Sequence, residues 1–317
     1  VKEDGSLYPN QELPTIISLE QGKLVTKNDI FIKRPNESKI ALKVTSAPIL
    51  DEQGKVVMSI TVFEDITQEK EIDKMKTDFI SLTSHQLRSP LVATRWLLEM
   101  LNDSKIGSLN SEQKELIKDI ESSNNRMIDL VNIFLNVSRI ETGGLMITPI
   151  ATDFKVFIGE IQKELDHLIQ ENKLNFVVKI EENIPVVDLD QKLIKEVYIN
   201  LLSNAIKYSP QGSNIILSVE IKDGQVISKV SDQGYGIPMQ EQHNVFKKLF
   251  RAENIITKFP YGNGLGLYLA KAIVEMSGGK IGFESVESKG TTFWFTLPLR
   301  GVIAKKGEVT ITPSTIQ

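Results

Sequence analysis

The chain has 317 residues, enough for roughly two or three domains. Hydrophobic residues make up 41%, charged residues 25%, and the formal net charge is −4 with both signs mixed, which excludes the clustered basic excess of a nucleic-acid surface. Cysteine is absent, so disulfides, thiolate nucleophiles and cysteine-ligated zinc are excluded, and the composition fits the cytosol.

No run reaches the ~18 apolar residues of a membrane helix. The opening "VKEDGSLYPN" is no leader peptide, and Val1 in place of Met predicts a piece of a longer protein, with room for a membrane anchor upstream.

Residues 1–64 carry strand signals. "NDIFIKRP", "KIALKVTSAPI" and "KVVMSITVFED" are β-rich and partly alternating, and "DEQGK" (51–55) makes a turn at Gly54. They predict an antiparallel three-stranded meander, short for an independent domain. From about Gln68 the period lengthens. Ile72, Met75, Phe79 and Leu82 form a heptad seam on a helix expected to run to about Asn102. "DSKIGSLNS" is a polar turn. A second helix starts near Asn110 or Ser111, carries the seam Leu116, Ile120, Met127, Leu130, Phe134 and Val137, and ends at Gly143-Gly144. Two antiparallel helices cannot enclose two apolar seams alone. Pairing with a second copy as a dimeric four-helix bundle is therefore expected.

Residues 150–300 alternate helices and strands. Helices are expected near 153–171 and 190–208, and strands near 174–181, 213–221, 225–231 and 292–298, with Asp223-Gly224 closing a hairpin. A further helix should run from about Gly264 to Met276. This predicts an α+β sandwich: one mixed sheet with helices on one face. Residues 301–317 read as a polar tail.

Two glycine-rich stretches stand out, "SDQGYGIP" (231–238) and "YGNGLGLYLAKAIVEMSGG" (261–279). Gly262, Gly264 and Gly266 precede a helix, where backbone N–H groups can meet phosphate oxygens. The spacing is neither that of a dinucleotide fold nor that of a P-loop. Turns explain about half of such clusters. In "NLLSNAIKYS" (200–209), Asn200, Asn204 and Lys207 share one helical face. A carboxamide oxygen suits Mg²⁺ and an ammonium suits phosphate. A solvated polar face is the competing reading.

"SHQLRSPL" (84–91) places Pro90 inside the first long helix, one turn past His85. Pro90 has no N–H to offer the Gln86 carbonyl, so the helix is expected to bend just after His85, at a cost of roughly 3 kcal/mol. Such a weak point would let the upper part of the helix bend, and a tolerated kink is the competing reading. A neutral imidazole is a nucleophile near pH 7, although most helical histidines are bystanders. His167 and His243 read as surface residues.

Together, "FISLTSHQLRSPL", "NLLSNAIKYS", "SDQGYGIP", "FKKLFRA", "GNGLGL" and "KGTTFWFTLP" resemble, in order, the motifs of sensor histidine kinases of two-component systems. "APILDEQGKVVMSITVFEDIT" resembles the last strands of a PAS sensor domain. The resemblance implies four parts: the C-terminal part of a PAS-like domain (1–67), a HisKA-type dimerisation and phosphotransfer hairpin (68–148), a GHKL-type ATP-binding domain (149–300) and the tail. It implies that His85 accepts the γ-phosphoryl of Mg-ATP and passes it to an aspartate of a response regulator receiver domain. Asn204 would hold Mg²⁺ with Asn200 beside it. Lys207 and Tyr208 would line the nucleotide site. Asp232 would accept the adenine amino group, with Gly234 and Gly236 allowing close approach. Phe246 and Phe250 would belong to the lid and Arg251 would lie near the γ-phosphate. Gly262, Gly264, Leu265 and Gly266 would cradle phosphates, and Thr291 would sit by the adenine.

Two positions depart from the family pattern. Gln86 stands where the resemblance implies an acid that takes the imidazole proton, which predicts slower autophosphorylation. Ser89 stands where Thr or Asn would position water for dephosphorylating the regulator. Related GHKL hydrolases carry Glu where this chain has Asn200, so hydrolysis is disfavoured. A nucleotide-binding dimeric scaffold with weak or no autokinase activity is the alternative.

Overall fold

The computed structural model describes the chain except residues 35–37, 103–106, 143, 260–261, 305–310 and 312–317, and except the side chains of Thr77, Ser81, Ser84 and His85 within a helix. The chain divides into two compact units, Val1–Phe79 and Ile80–Gln317.

In the first unit, α1 (Pro14–Gln21) packs on an antiparallel sheet of β1 (Val25–Lys33), β2 (Lys39–Leu50) and β3 (Val56–Asp65), in the order β1-β2-β3. The expected meander is present. The helix before it was not visible as a period, being short and opened by Pro14 at its first turn. Tyr8, Ile30, Leu42 and Val44 form a small core. One residue after β3, α2 (Thr67–Asn102) begins; the Asp65 carboxylate accepts from the Thr67 N–H at 3.0 Å.

The helix α2 continues unbroken through Pro90, so the proline weakens a turn without ending the helix. The connection that follows lies partly outside the described residues. The next helix, α3 (Ser111–Glu141), opens on a capping box: the Asn110 side chain accepts from the Gln113 N–H, and the Gln113 side chain accepts from the Asn110 N–H. Most of the expected seam is exposed in the single chain, including Leu82, Leu116, Ile120, Met127, Leu130 and Phe134. Val137 is the exception: it is buried in the core cluster that it shares with Leu145, Ile147 and the sandwich that follows.

Residues beyond α3 form a two-layer sandwich. After β4 (Ile150–Thr152) come α4 (Phe154–Glu171), β5 (Asn175–Ile180), β6 (Val187–Leu189) and α5 (Gln191–Tyr208). Then follow β7 (Asn214–Lys222), β8 (Gln225–Ser231), the short α6 (Glu253–Ile256), α7 (Gly266–Met276), β9 (Ile281–Val286) and β10 (Gly290–Pro298). The main sheet runs β5-β7-β8-β10-β9, with β5 parallel to β7 and the other pairs antiparallel. This is the expected mixed sheet, with β9 as a fifth strand beyond the four expected. The short pair β4-β6 was beyond reach of periodicity. Asp153 and Asp190 cap α4 and α5 by accepting backbone N–H bonds, which fixes both starts. Leu165, Leu193, Val197, Leu201, Ile215, Leu217, Ile273 and Phe295 fill the space between layers. Val302 and Ile311, within the stretch expected to be a polar tail, are also buried in this core. Among the described residues, no helix is long and apolar enough to cross a membrane.

Candidate functional site: a nucleotide-sized cavity beside α5

The outer stripe of α5 builds one wall of a cavity of about 610 Å³. Its inner face is apolar and buried, which turns Asn200, Asn204 and Lys207 away from the core. The Asn200 Nδ2 donates to the Glu196 carbonyl at 2.8 Å. This turns Oδ1 towards α7, where a Cβ on Gly266 would fall 2.3 Å from that oxygen. Gly266 is thus required by packing against the asparagine. Gly264 has φ +64°, and a Cβ there would lie 2.6 Å from the Leu249 carbonyl carbon. These glycines bring the start of α7 against α5 and the lid backbone.

Asp232 also lines the cavity. Its Oδ1 accepts from the Gly234 N–H at 2.8 Å and the Thr291 N–H at 3.1 Å. Both hydrogen bonds described for this carboxylate fall on Oδ1, leaving Oδ2 as an acceptor for the cavity. Burial pushes the Asp232 carboxyl up, and the two N–H donors pull it back. Behind it, Ser285 and Thr291 share a hydroxyl contact of 2.8 Å, and Ser285 Oγ also accepts from the Ile237 N–H at 2.9 Å.

Lys207, with Arg251 of the lid, supplies cationic charge. Burial lowers the Lys207 ammonium below its ordinary value, and the Arg251 charge lowers it further. Burial raises the Tyr208 hydroxyl, and Arg251 opposes that rise. Two cations sharing a partly buried wall favour a polyanion between them.

Most of the expected ligand residues meet here. Asn200, Asn204, Lys207 and Tyr208 come from α5; Asp232, Gly236 and Thr291 from the strand ends; Phe250, Arg251, Gly262, Gly264 and Gly266 from the lid and the start of α7. Gly234 and Leu265 are not part of the wall. A Cβ on Gly234 would lie 2.5 Å from the Tyr208 carbonyl oxygen, so its role is close packing. Leu265 is buried in the core, and its N–H donates to Asn263 Oδ1 at 3.0 Å. Phe246 packs against Phe283 and Phe293 beneath the lid.

Other residues line the cavity without having been anticipated. Phe259 stacks edge-on against Tyr208 at 5.3 Å and lies 6.0 Å from Tyr235, while its carbonyl accepts from Arg251 Nη2. Lys258 sits 3.7 Å above the Tyr235 ring. Tyr235 was findable as the one aromatic between two glycines of "GYG"; nothing local marks Phe259. Arg126 and Asp129 of α3 reach the same cavity, which only the packing of α3 against α7 reveals. Lower on α3, Glu141 accepts from Tyr268 Oη at 3.0 Å and pairs with Lys248.

On α2, Gln86 and Ser89 are exposed at helical spacing on one flank. His85 lies on the same helix, with its side chain outside the described residues. His167 and His243 are exposed, as expected.

The cavity suits ATP: it offers the Asp232 carboxylate as an acceptor for an exocyclic amine, the Lys207 and Arg251 cations for phosphates, and aromatic side chains. The carboxamide of Asn204 is a hard oxygen donor, of the kind that could hold Mg²⁺.

Comparison with known proteins agrees with this geometry. Residues 189–301 match the family described as histidine kinase-, DNA gyrase B- and HSP90-like ATPase, and residues 75–143 match the His Kinase A (phospho-acceptor) domain. The chain is 31% identical over 271 residues to the sensor histidine kinase WalK of Bacillus subtilis, covering 85% of this chain and 44% of that protein. It is 28% identical over 293 residues to a sensor protein kinase WalK of Staphylococcus aureus, covering 90% of this chain and 69% of that one. The chain therefore spans less than half of the first relative's length. Full-length ShkA in complex with AMPPNP shares the fold, with a TM-score of 0.59 at 20% identity over 72% of this chain and 47% of that one. Two family domains in tandem, with relatives matching across most of the chain, leave one assignment: the chain belongs to the sensor histidine kinases of two-component systems, with their HisKA-type helical region and GHKL-type ATPase fold.

Proposed function

We propose that this chain is an ATP-dependent protein-histidine kinase that phosphorylates His85 and delivers the phosphoryl group to an aspartate of a response regulator. The observation that carries the reading is the pairing of a triphosphate-sized cavity with an amide at position 200. A carboxamide cannot remove a proton from water at neutral pH, so the site suits holding ATP while another nucleophile attacks. In the transfer, an imidazole nitrogen of His85 forms a bond to the γ-phosphorus as the bond to the bridging oxygen of ADP breaks. The ring proton leaves to solvent, because Gln86 cannot take it.

In this reading Asp232 accepts the adenine amino group on Oδ2, Thr291 and Gly236 flank it, and Tyr208 packs against the nucleotide. Lys207 and Arg251 neutralise phosphate charge. Asn204 holds Mg²⁺, which when bound offsets charge on the β- and γ-phosphates. The exposed seam of α2 and α3 supports a homodimer in which the two hairpins make a four-helix bundle. The three-stranded unit supports a PAS-like sensor portion over residues 1–67, followed by the hairpin (68–148) and the ATP-binding domain (149–300). Exposed Gln86 favours a second reading, a scaffold that binds nucleotide without phosphorylating itself.

The test is incubation of the chain with γ-labelled ATP and Mg²⁺. The kinase reading expects acid-labile, alkali-stable label that is lost in His85→Ala. Nucleotide binding without label would favour the scaffold and overturn the kinase.

A further inference from the structure

Helix α3 buries an unusual face. Asn124, Ile128, Asn132 and Asn136 recur every fourth residue, and the three carboxamides are 1%, 5% and 0% exposed. Apolar side chains would pack there with no hydrogen bonds to satisfy. A buried polar atom without a partner is destabilising. Asn124 Oδ1 is such an atom among the described residues, so this asparagine is kept despite a penalty.

Two of these carboxamides reach across to α2, and both land on the stretch that contains Pro90. Asn124 Nδ2 donates to the Leu91 carbonyl at 2.9 Å. Asn132 Oδ1 accepts from Arg88 Nη2 at 2.6 Å. Within α2, Thr94 Oγ1 donates to the Pro90 carbonyl at 3.0 Å. Pro90 deprives the Gln86 carbonyl of its helical partner, directly after His85. The bonds from α3 therefore fall on either side of Pro90, one within the weakened turn and one just past it.

We propose that Asn124 and Asn132 are positioning residues that brace this turn and fix the register of the His85 segment against α3. The inference rests on the reading of His85 as phosphoacceptor. Its physical basis is the one by which a buried asparagine sets register between paired helices at some loss of stability. A leucine stripe would hold the helices together but would allow α2 to slide or bend at Pro90.

The test uses Asn124→Leu and Asn132→Leu in the full chain, each alone and combined with Pro90→Ala. The thermal midpoint should hold or rise, and nucleotide Kd should stay unchanged. Autophosphorylation turnover at saturating ATP should fall about tenfold. With Pro90→Ala present, the same substitutions should change turnover by less than about threefold. Amide hydrogen exchange over residues 86–95 should accelerate in the Leu variants that keep Pro90, a readout independent of phosphorylation. Unchanged exchange there, or equal turnover losses with and without Pro90→Ala, would overturn the brace. A wild type that takes no label would refute the kinase reading, and the exchange result alone would then decide the brace.

Discussion

Asp232 and Lys207 both line the cavity, and each makes a separate prediction. Asp232 offers Oδ2 to a donor while backbone N–H groups hold Oδ1. Asp232→Asn turns an acceptor into a group that can also donate. It should weaken nucleotide binding by roughly 1.5–3 kcal/mol, about ten- to hundredfold, measured by calorimetry with a non-hydrolysable ATP analogue. The pH dependence follows from the two perturbed groups. Burial raises the Asp232 carboxyl, so it protonates sooner as pH falls, and affinity should decline above the ordinary carboxylate range. Burial and Arg251 lower the Lys207 ammonium, so its charge is lost sooner as pH rises, and affinity should decline on the alkaline side. Lys207→Arg should shift the alkaline decline to higher pH and leave the acid limb in place. An alkaline limb that Lys207→Arg leaves unmoved, or an acid limb that does not lie above the ordinary carboxylate range, would contradict the corresponding assignment. At Gln86, restoring an acid with Gln86→Glu should speed autophosphorylation by roughly tenfold, since general base action is commonly worth that or more.

The start of α7 is held to α5 and the lid by two close approaches. Gly266→Ala should displace the Asn200 side chain, and Gly264→Ala would combine a backbone clash with a positive φ. Both should reduce nucleotide affinity at least about tenfold, Gly264→Ala with a lower thermal midpoint as well. At the other end of the layer, Glu141 joins α3 to α7 through Tyr268 and to the lid through Lys248. The pair is half exposed, so Glu141→Gln should cost about 1 kcal/mol or less and act mainly by loosening the lid, seen as faster proteolysis within residues 246–259. Element boundaries were legible where local chemistry fixes them: Asp153, Asp190 and Asn110 accept N–H bonds from their own helices. The pair β4-β6, α1 and the lid helix α6 were not legible, because three- to eight-residue elements carry too few periods and depend on partners distant in sequence. The ligand stripe of α5 was readable because 200, 204 and 207 share a face. Phe259, Arg126 and Asp129 were not, because only tertiary docking brings them to the cavity.

The single chain leaves Leu116, Ile120, Met127, Leu130 and Phe134 of α3 exposed on one long helix, alongside Leu82, Leu87, Val92 and Trp96 of α2. Such a face is too apolar to stay in water. A second copy would cover it, and Phe134→Glu should convert the dimer to a monomer, measured by light scattering after size-exclusion chromatography. The central claim is that this assembly holds ATP without spending it on water, and directs the phosphoryl group to His85. The most direct measurement follows two quantities in one time course with γ-labelled ATP: label on the protein and free phosphate. Label should accumulate on the chain and vanish in His85→Ala, while phosphate release stays at background. Continuous phosphate release that persists in His85→Ala would contradict it.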